Sequence, residues 1–497
     1  MGEGVIRSVL VANRGEIAVR IARTCAEMKV RSVLAFAEDE REAYPRRFFD
    51  ETVSLGGGEA RETYLDVGKI MDAAAATGAD AIHPGYGFLS EREELAAACR
   101  DRGIRFIGPS PEAIDAMGSK AGARALMERL GVPVVPGYHG DDQNDATLQR
   151  EAERIGFPII VKASAGGGGK GMKIAWTPRD LPEALASARR EAARAFGNDA
   201  LLLERFVERP RHVEFQVFGD SAGNVVHLFE RDCSIQRRHQ KVIEESPAPV
   251  YADDLRMRMA RSAIDAARGV GYESAGTVEF IVDPEGNYYF LEMNTRLQVE
   301  HPVTEMVLGV DLVRAQIEVA GGAPLPWSQE QLAQRGHAIE ARIYAENPDE
   351  GFLPQTGRLA RFDVPGGPGV RIDAGVAAGS EVTVRYDPML AKLIAWGTTR
   401  ERAIERLARA LGECVLLGVV TNTTWLGRVV VHPAFRGGQV STHFVTDHEK
   451  DLRPPDSAEA VALAAVLSVV GARVERVGVR AESPSVWELA GRFGREG

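Results

Sequence analysis

Two glutamates and a run of polar residues at spacing two give this chain its first chemical signature. Gly276 to Glu300, GTVEFIVDPEGNYYFLEMNTRLQVE, reads as two apolar strands around the turn Pro284-Glu285-Gly286-Asn287. With Asp283 opposite Tyr288, Glu279 falls opposite Glu292. Like charges facing each other across a ladder destabilise it, so the pattern calls for a cation between them. Side chains alternate along a strand, and Glu292, Asn294, Arg296, Gln298 and Glu300 share one face for as long as the chain stays extended. Carboxylates without Cys or His suit Mg²⁺ or Mn²⁺, ions that bind through a few carboxylates and the phosphates of a substrate. The expected ligand is a nucleotide. A buried hairpin with Arg-paired acids is the structural alternative for one Glu pair, but five polar residues on one face of a strand point to a site.

Two further stretches bear on the same chemistry. The tract Ala163-Ser164-Ala165-Gly166-Gly167-Gly168-Gly169-Lys170-Gly171 lies between a strand ending at Lys162 and a second apolar strand, Met172 to Trp176. Successive glycines let backbone N–H groups converge on phosphate oxygens, and the hairpin setting predicts a phosphate lid. It is not a Walker A loop, because Gly171 follows Lys170 where Ser or Thr is required. The segment Arg231 to Lys241, RDCSIQRRHQK, is densely basic. In a chain of formal net charge −11 it is either a salt-bridged surface or an anion pocket. Only nine of the 60 basic residues are Lys, and five of them, Lys120, Lys162, Lys170, Lys173 and Lys241, lie in or beside these and the other motif stretches of the chain. A Lys in so Arg-biased a chain is expected where a compact charge is needed.

The elements that must position these residues follow from periodicity. IRSVLVA, the turn Asn13-Arg14-Gly15-Glu16, a helix from Ile17 to Met28 and RSVLAFA form a β-α-β unit with one turn glycine, where a dinucleotide fold has three. A strand at Asp80 to Ile82 runs into His83-Pro84-Gly85-Tyr86-Gly87-Phe88, which is either a ligand loop at a strand's carboxyl end or a tight turn. Ser90-Glu91-Arg92-Glu93 is a capping box expected to open the next helix. Residues 112 to 131 read as a helix interrupted before Lys120, Gly309 to Ala320 and Arg400 to Leu411 as helices, and Asp387 to Trp396 as a strand.

A length of 497 residues implies two to four domains. The negative charge disfavours nucleic acid or an anionic membrane as partner. Four scattered cysteines, Cys25, Cys99, Cys233 and Cys414, point to a reducing, cytoplasmic setting, and the longest apolar run, Ala460 to Ala472, is too short to span a bilayer.

ANRGEIAVRI (12–21), HPGYGFLSE (83–91), VKASAGGGGKGM (161–172), ERDCSIQRRHQKVIEESPAP (230–249), EMNTRLQVEHPVTE (292–305) and GHAIEAR (336–342) closely resemble the biotin carboxylases, over roughly residues 5 to 447. The resemblance implies an α/β ATP-grasp fold: a Rossmann-like N-terminal domain at 1–115, an ATP-grasp domain at 116–335 with its lid at about 135–205, and a mixed C-terminal lobe at 336–447. Residues 448–497 resemble the start of a domain that links carboxylase and carboxyltransferase. It implies ATP, two Mg²⁺ or Mn²⁺ ions, bicarbonate, and biotin on a separate carrier, since no Ala-Met-Lys-Met motif occurs here. A biotin carboxyl carrier, a carboxyltransferase and a homodimer or larger carboxylase complex are the implied partners. Carried over by motif, Lys120 and Lys162 resemble the phosphate ligands, Gly168 and Gly169 the lid amides, and Glu204, Arg205, Phe206 and Val207 the adenine contact. His212, Gln236 and His239 complete that pocket, and Glu279, Glu292 and Asn294 match the metal ligands. Lys241, Arg296, Gln298 and Val299 match the bicarbonate site, Glu300 the general base and Arg342 the stabiliser of the biotin enolate. Rival readings are another ATP-grasp ligase with a different acceptor and an ATP-binding scaffold subunit.

Overall fold

The computed structural model describes residues 4–163, 172–196, 199–238, 240–249 and 251–454, with the side chains of Lys120, Ala121, Ala195 and Phe196 also left aside. Gly168 and Gly169, expected at the phosphate lid, His239 and the tail from 455 lie outside the described residues.

The chain opens with five parallel strands: β1 (Ser8–Val11), β2 (Arg31–Phe36), β3 (Glu51–Ser54), β4 (Ala81–His83) and β5 (Arg105–Phe106), in the order β3-β2-β1-β4-β5. The order reverses between β1 and β4, so their carboxyl ends open a crevice of the kind where α/β sheets bind ligands. Asn13 closes it by donating from Nδ2 to the carbonyls of Pro84 and Tyr86, both at 2.7 Å. Gly85 makes this approach feasible: its φ is +63°, and a Cβ there would lie 2.9 Å from Asn13 Nδ2. The expected capping box fails. Ser90 caps nothing, and the helix starts at Glu93 after Arg92, because Leu89 and Ser90 are buried at the end of the loop.

A second, antiparallel sheet has the order β6 (Gly137–Tyr138), β9 (Leu201–Arg205), β7 (Ile159–Ala163), β8 (Lys173–Ala175). β7 and β8 pair as the sequence predicts. The interrupted helix appears as Pro111–Gly118 and Lys120–Arg129, with Ser119 capping the second.

The largest sheet has eight antiparallel strands. β14 (Tyr288–Asn294) and β13 (Ser274–Val282) lead through β10 (Arg211–Gly219), β11 (Val225–Arg237) and β12 (Gln240–Ser246) to β15 (His337–Tyr344), Met389–Gly397 and Val370–Ala374. Its faces differ in kind. Along β10, Val213, Phe215 and Val217 pack with Phe280, Met259 and Ala263 beneath the helix Asp253–Gly269. The alternate residues His212, Glu214 and Gln216 point to the opposite face and are equally buried. On that face, register aligns Glu214 with Arg231 and Glu279, Glu244 with Glu340, and Arg342 with Lys392. A row of charge crosses the sheet. The helix His301–Leu308 covers part of it, through Val303 and Val307 against Ala338 and Ile394. Among the described residues, no helix is long and apolar enough to cross a membrane.

Candidate active site

The hairpin that carries the two glutamates is one residue tighter at its turn than the sequence suggests. Val282, not Asp283, pairs with Tyr288, and Asp283 instead binds Asn287 through both backbone and side chain. A register shift between Glu279 and Phe280 then absorbs one extra residue on β14, and Glu279 stands opposite Glu292 as expected. Two departures cancel.

The polar run beyond Glu292 does not remain a strand. β14 ends at Asn294, and Glu300 sits at the N-cap of the helix His301–Leu308. The turn brings these side chains together more tightly than an extended strand could. Glu279 Oε1 accepts from Asn294 Nδ2 at 2.7 Å, Gln298 Nε2 at 2.8 Å and Lys241 Nζ at 2.9 Å. Arg296 donates from Nη2 to Asn294 Oδ1 at 3.0 Å and places Nε 2.9 Å from Glu91 Oε2.

The centre of the cluster is one ammonium. Lys241 donates to Glu214 Oε2 at 2.5 Å, Glu279 Oε1 at 2.9 Å and Glu300 Oε1 at 2.7 Å. Arg342 lies 2.9 Å from the other oxygen of Glu300 and 2.6 Å from Glu244. Arg231, wholly buried, donates to Glu214 at 2.6 Å and also reaches Gln216, Thr304 and Thr277. Burial pushes the Glu300 carboxyl up, but Lys241, Arg342 and Arg231 outweigh it and hold it well below the usual carboxylate range. It is ionised at neutral pH and can accept a proton.

Beside this cluster, His212 Nε2 is 2.7 Å from Glu279 Oε2, and Gln236 Nε2 is 2.6 Å from His212 Nδ1. Glu279, Glu292 and Asn294 offer only oxygen donors, which fits Mg²⁺ or Mn²⁺. A cavity of about 760 Å³ joins the two regions of the chain: His212, Lys241, Glu292, Arg296 and Arg342 line it together with Tyr86 from the first sheet.

Other predicted residues stand on the four-stranded sheet. Lys162 on β7 and Glu204 on β9 form an ion pair across diagonal positions. Arg205 is exposed, and Phe206 packs edge-on against Trp176 with ring centroids 5.7 Å apart, followed by half-buried Val207. Lys120 opens the helix Lys120–Arg129. The carbonyl of Val299 accepts from Lys392 at 2.6 Å. Sequence reasoning missed Glu214, Arg231, Glu244 and Glu91. Two left a local trace: Arg231 opens the basic segment, and His212, Glu214 and Gln216 alternate with apolar residues on β10.

The fold is an ATP-grasp fold of the α/β class, and the comparisons place it more narrowly. Residues 5–114 match the family model "Biotin carboxylase, N-terminal domain", residues 119–328 "Carbamoyl-phosphate synthase L chain, ATP binding domain", and residues 340–447 "Biotin carboxylase C-terminal domain". The chloroplastic biotin carboxylase of Arabidopsis thaliana is 48% identical over 453 residues, covering 91% of this chain and 84% of that one. The mitochondrial methylcrotonoyl-CoA carboxylase subunit alpha of the same plant is 50% identical over 92% of this chain. The chain spans 63% of that subunit's length. Among solved structures, the biotin carboxylase domain dimer of Hydrogenobacter thermophilus 2-oxoglutarate carboxylase, in complex with MgADP, ADP and bicarbonate, superposes with a TM-score of 0.85 at 44% identity, covering 91% of this chain and all of that one. The chain belongs to the biotin carboxylase family.

Proposed function

We propose that this chain carboxylates biotin held on a separate carrier, using ATP and bicarbonate, as the first half-reaction of an acyl-CoA carboxylase. The observation that carries the reading is Glu300, an ionised carboxylate fixed between Lys241 and Arg342 at 2.7 and 2.9 Å and four residues along the chain from Arg296. A bicarbonate oxygen attacks the γ-phosphorus of ATP, ADP leaves, and Glu300 accepts the bicarbonate proton. As bicarbonate takes a share of the donors of Lys241 and Arg296, Glu300 loses part of the field that depresses its basicity. Carboxyphosphate breaks down to CO₂ and phosphate. Arg342, which cannot give up its proton, stabilises the enolate of biotin while the ureido nitrogen, its proton passed to phosphate, bonds to CO₂.

Lys120, Lys162 and the amides of Gly168 and Gly169 are the proposed phosphate ligands, with His212, Gln236 and His239 around the nucleotide. Glu204 to Val207 are proposed at the adenine, and Gln298 and Val299 beside bicarbonate. Glu279, Glu292 and Asn294 would hold divalent metal, which when bound neutralises phosphate charge. The segments 1–115, 116–335 and 336–447 are the proposed N-terminal, nucleotide-binding and C-terminal parts, with 448–497 as linker. A carboxyltransferase, a carrier and a second copy of the chain are the proposed partners, and four cysteines without a disulfide fit the cytoplasm.

The test is phosphate release from ATP and Mg²⁺ with and without bicarbonate and free biotin, for wild type and Arg296→Ala. The reading expects release that needs bicarbonate, rises with biotin and falls about 100-fold in the variant. ATP turnover indifferent to both would leave the fold and remove the acceptor, as another ATP-grasp ligase requires.

A further inference from the structure

The charged row on the eight-stranded sheet does not stop at Arg342. Directly opposite Arg342 on the neighbouring strand stands Lys392, with Asp373 opposite it on the far side. Lys392 is fully buried. Its Nζ donates to the Val299 carbonyl at 2.6 Å, lies 3.1 Å from Glu16 Oε1 and stands 4.0 Å from Asp373 Oδ2. Asp373 has a second cation, because Arg371 binds it at 2.7 Å and reaches Glu305 at 2.7 Å. Glu16, in the first turn of the helix Gly15–Met28, also accepts the hydroxyl of Tyr86. One ammonium therefore ties together the C-terminal lobe, the first helix and the turn that ends at Glu300.

Burying a lysine is costly unless each donor finds a partner, and an ion pair alone is weak evidence of a stabilising role. The donor aimed at a peptide carbonyl is the informative one. Val299 directly precedes Glu300, and both Val299 and Tyr86 line the cavity whereas Lys392 does not. Glu16 lines it too, so Lys392 acts on the site through Val299 and through Glu16 with its partner Tyr86. The groups proposed for the nucleotide, Lys162 and Glu204, have no hydrogen bond or ion pair to it among the described residues.

We propose that Lys392 is a positioning residue for the acceptor half of the site: it fixes the Val299–Glu300 turn through the Val299 carbonyl and the Tyr86 wall through Glu16. This rests on the bicarbonate and biotin reading above. Its consequence is selective, because loosening the turn blurs the placement of the base and the acceptor wall while the phosphate ligands keep their own supports.

The experiment measures KM for bicarbonate, free biotin and ATP in the full chain for wild type, Lys392→Met and the double variant Lys392→Met/Glu16→Gln. The double variant removes Lys392 together with its nearest carboxylate, Asp373 keeps Arg371, and Gln keeps an acceptor for Tyr86. Loss of one charge-assisted hydrogen bond predicts a rise of about tenfold or more in KM for bicarbonate and biotin, with KM for ATP within about twofold of wild type. Should Lys392→Met not fold, the double variant decides. Constants for ATP and bicarbonate that rise together, or a bicarbonate constant that stays at the wild-type value, overturn the proposal and leave the function standing. A wild type without bicarbonate-dependent release overturns the function, and the proposal with it.

Discussion

The proposed site has two halves, one around the cavity and one beside it on the four-stranded sheet, that are supported in opposite ways. In the acceptor half, Lys241, Arg231 and Arg342 each serve several partners, and side-chain exposure runs from 0 to 12% across these cations and Glu214, Glu279, Glu244 and Glu300. The groups rise from one eight-stranded sheet and the N-terminus of one helix. In the nucleotide half, Lys162 is 32% exposed and pairs with Glu204 on a separate four-stranded sheet. Two groups proposed to meet the same ligand are there each other's partner. The acceptor half is thus built as a fixed electrostatic frame, of the kind that costs no reorganisation during reaction. The nucleotide half is built so that a ligand must take over an existing contact.

The largest effect that could break this comparison is at Glu300. Glu300→Gln keeps size and hydrogen-bonding capacity but removes the proton acceptor, and bicarbonate-dependent phosphate release should fall by about 10²–10⁴-fold with KM for ATP little changed. A variant that keeps its turnover would deprive Glu300 of the base role. Lys162→Met should produce the mirror image on a smaller scale. KM for ATP should rise about tenfold while KM for bicarbonate holds. If both constants move in either variant, the halves are one coupled unit, and the separate sheets do not insulate them.

The hairpin was legible because its signals are local: a turn sequence, alternation and two acids at matching distances from the turn. Even so, its register came out through a tighter turn and a compensating bulge, neither of which the alternation encodes. The pairing of β7 with β8 and the split helix before Lys120 were legible for the same reason. The pairing of Arg231 with Glu214 was not, since a buried arginine on β11 and a buried glutamate on β10 make sense only as cross-strand partners. Lys392 lies 93 residues beyond Val299, and no spacing rule reaches that far. The helix His301–Leu308 was hidden by the polar run leading into it, which reads as strand up to Glu300 and turns only because Gln298, Asn294 and Lys241 converge on Glu279.

The smallest effect sharpens the comparison by pH. Glu244 and Glu340 face each other across the ladder between β12 and β15, both fully buried. The Glu244 carboxyl is raised to about 7, because burial and, second to it, Glu300 push it up more than Arg342 and Lys241 pull it down. Glu340 is raised too, chiefly by burial, with Lys392 opposing and Glu244 adding to the rise. The folded chain therefore holds a proton at this pair more tightly than the unfolded chain does. For a carboxyl with a raised folded value, the contribution to stability is fully present below the unfolded value near 4.5 and is lost as pH rises through about 7. Glu204 behaves the other way: Lys162 outweighs burial and lowers it, so its contribution persists above the unfolded value and disappears only in acid. Between pH 5 and 8, then, only the acceptor half should soften. Glu244→Gln removes that titration, and denaturant unfolding at the two pH values should show the variant gaining on wild type at pH 8 by at most about 3 kcal/mol. A difference between variant and wild type that is the same at both pH values would mean that the pair carries no proton in the folded chain. Glu214, Glu244, Glu279, Glu300 and Glu340 would then all be charged against Lys241, Arg231, Arg342 and Lys392, an excess of negative charge that a buried site could not sustain.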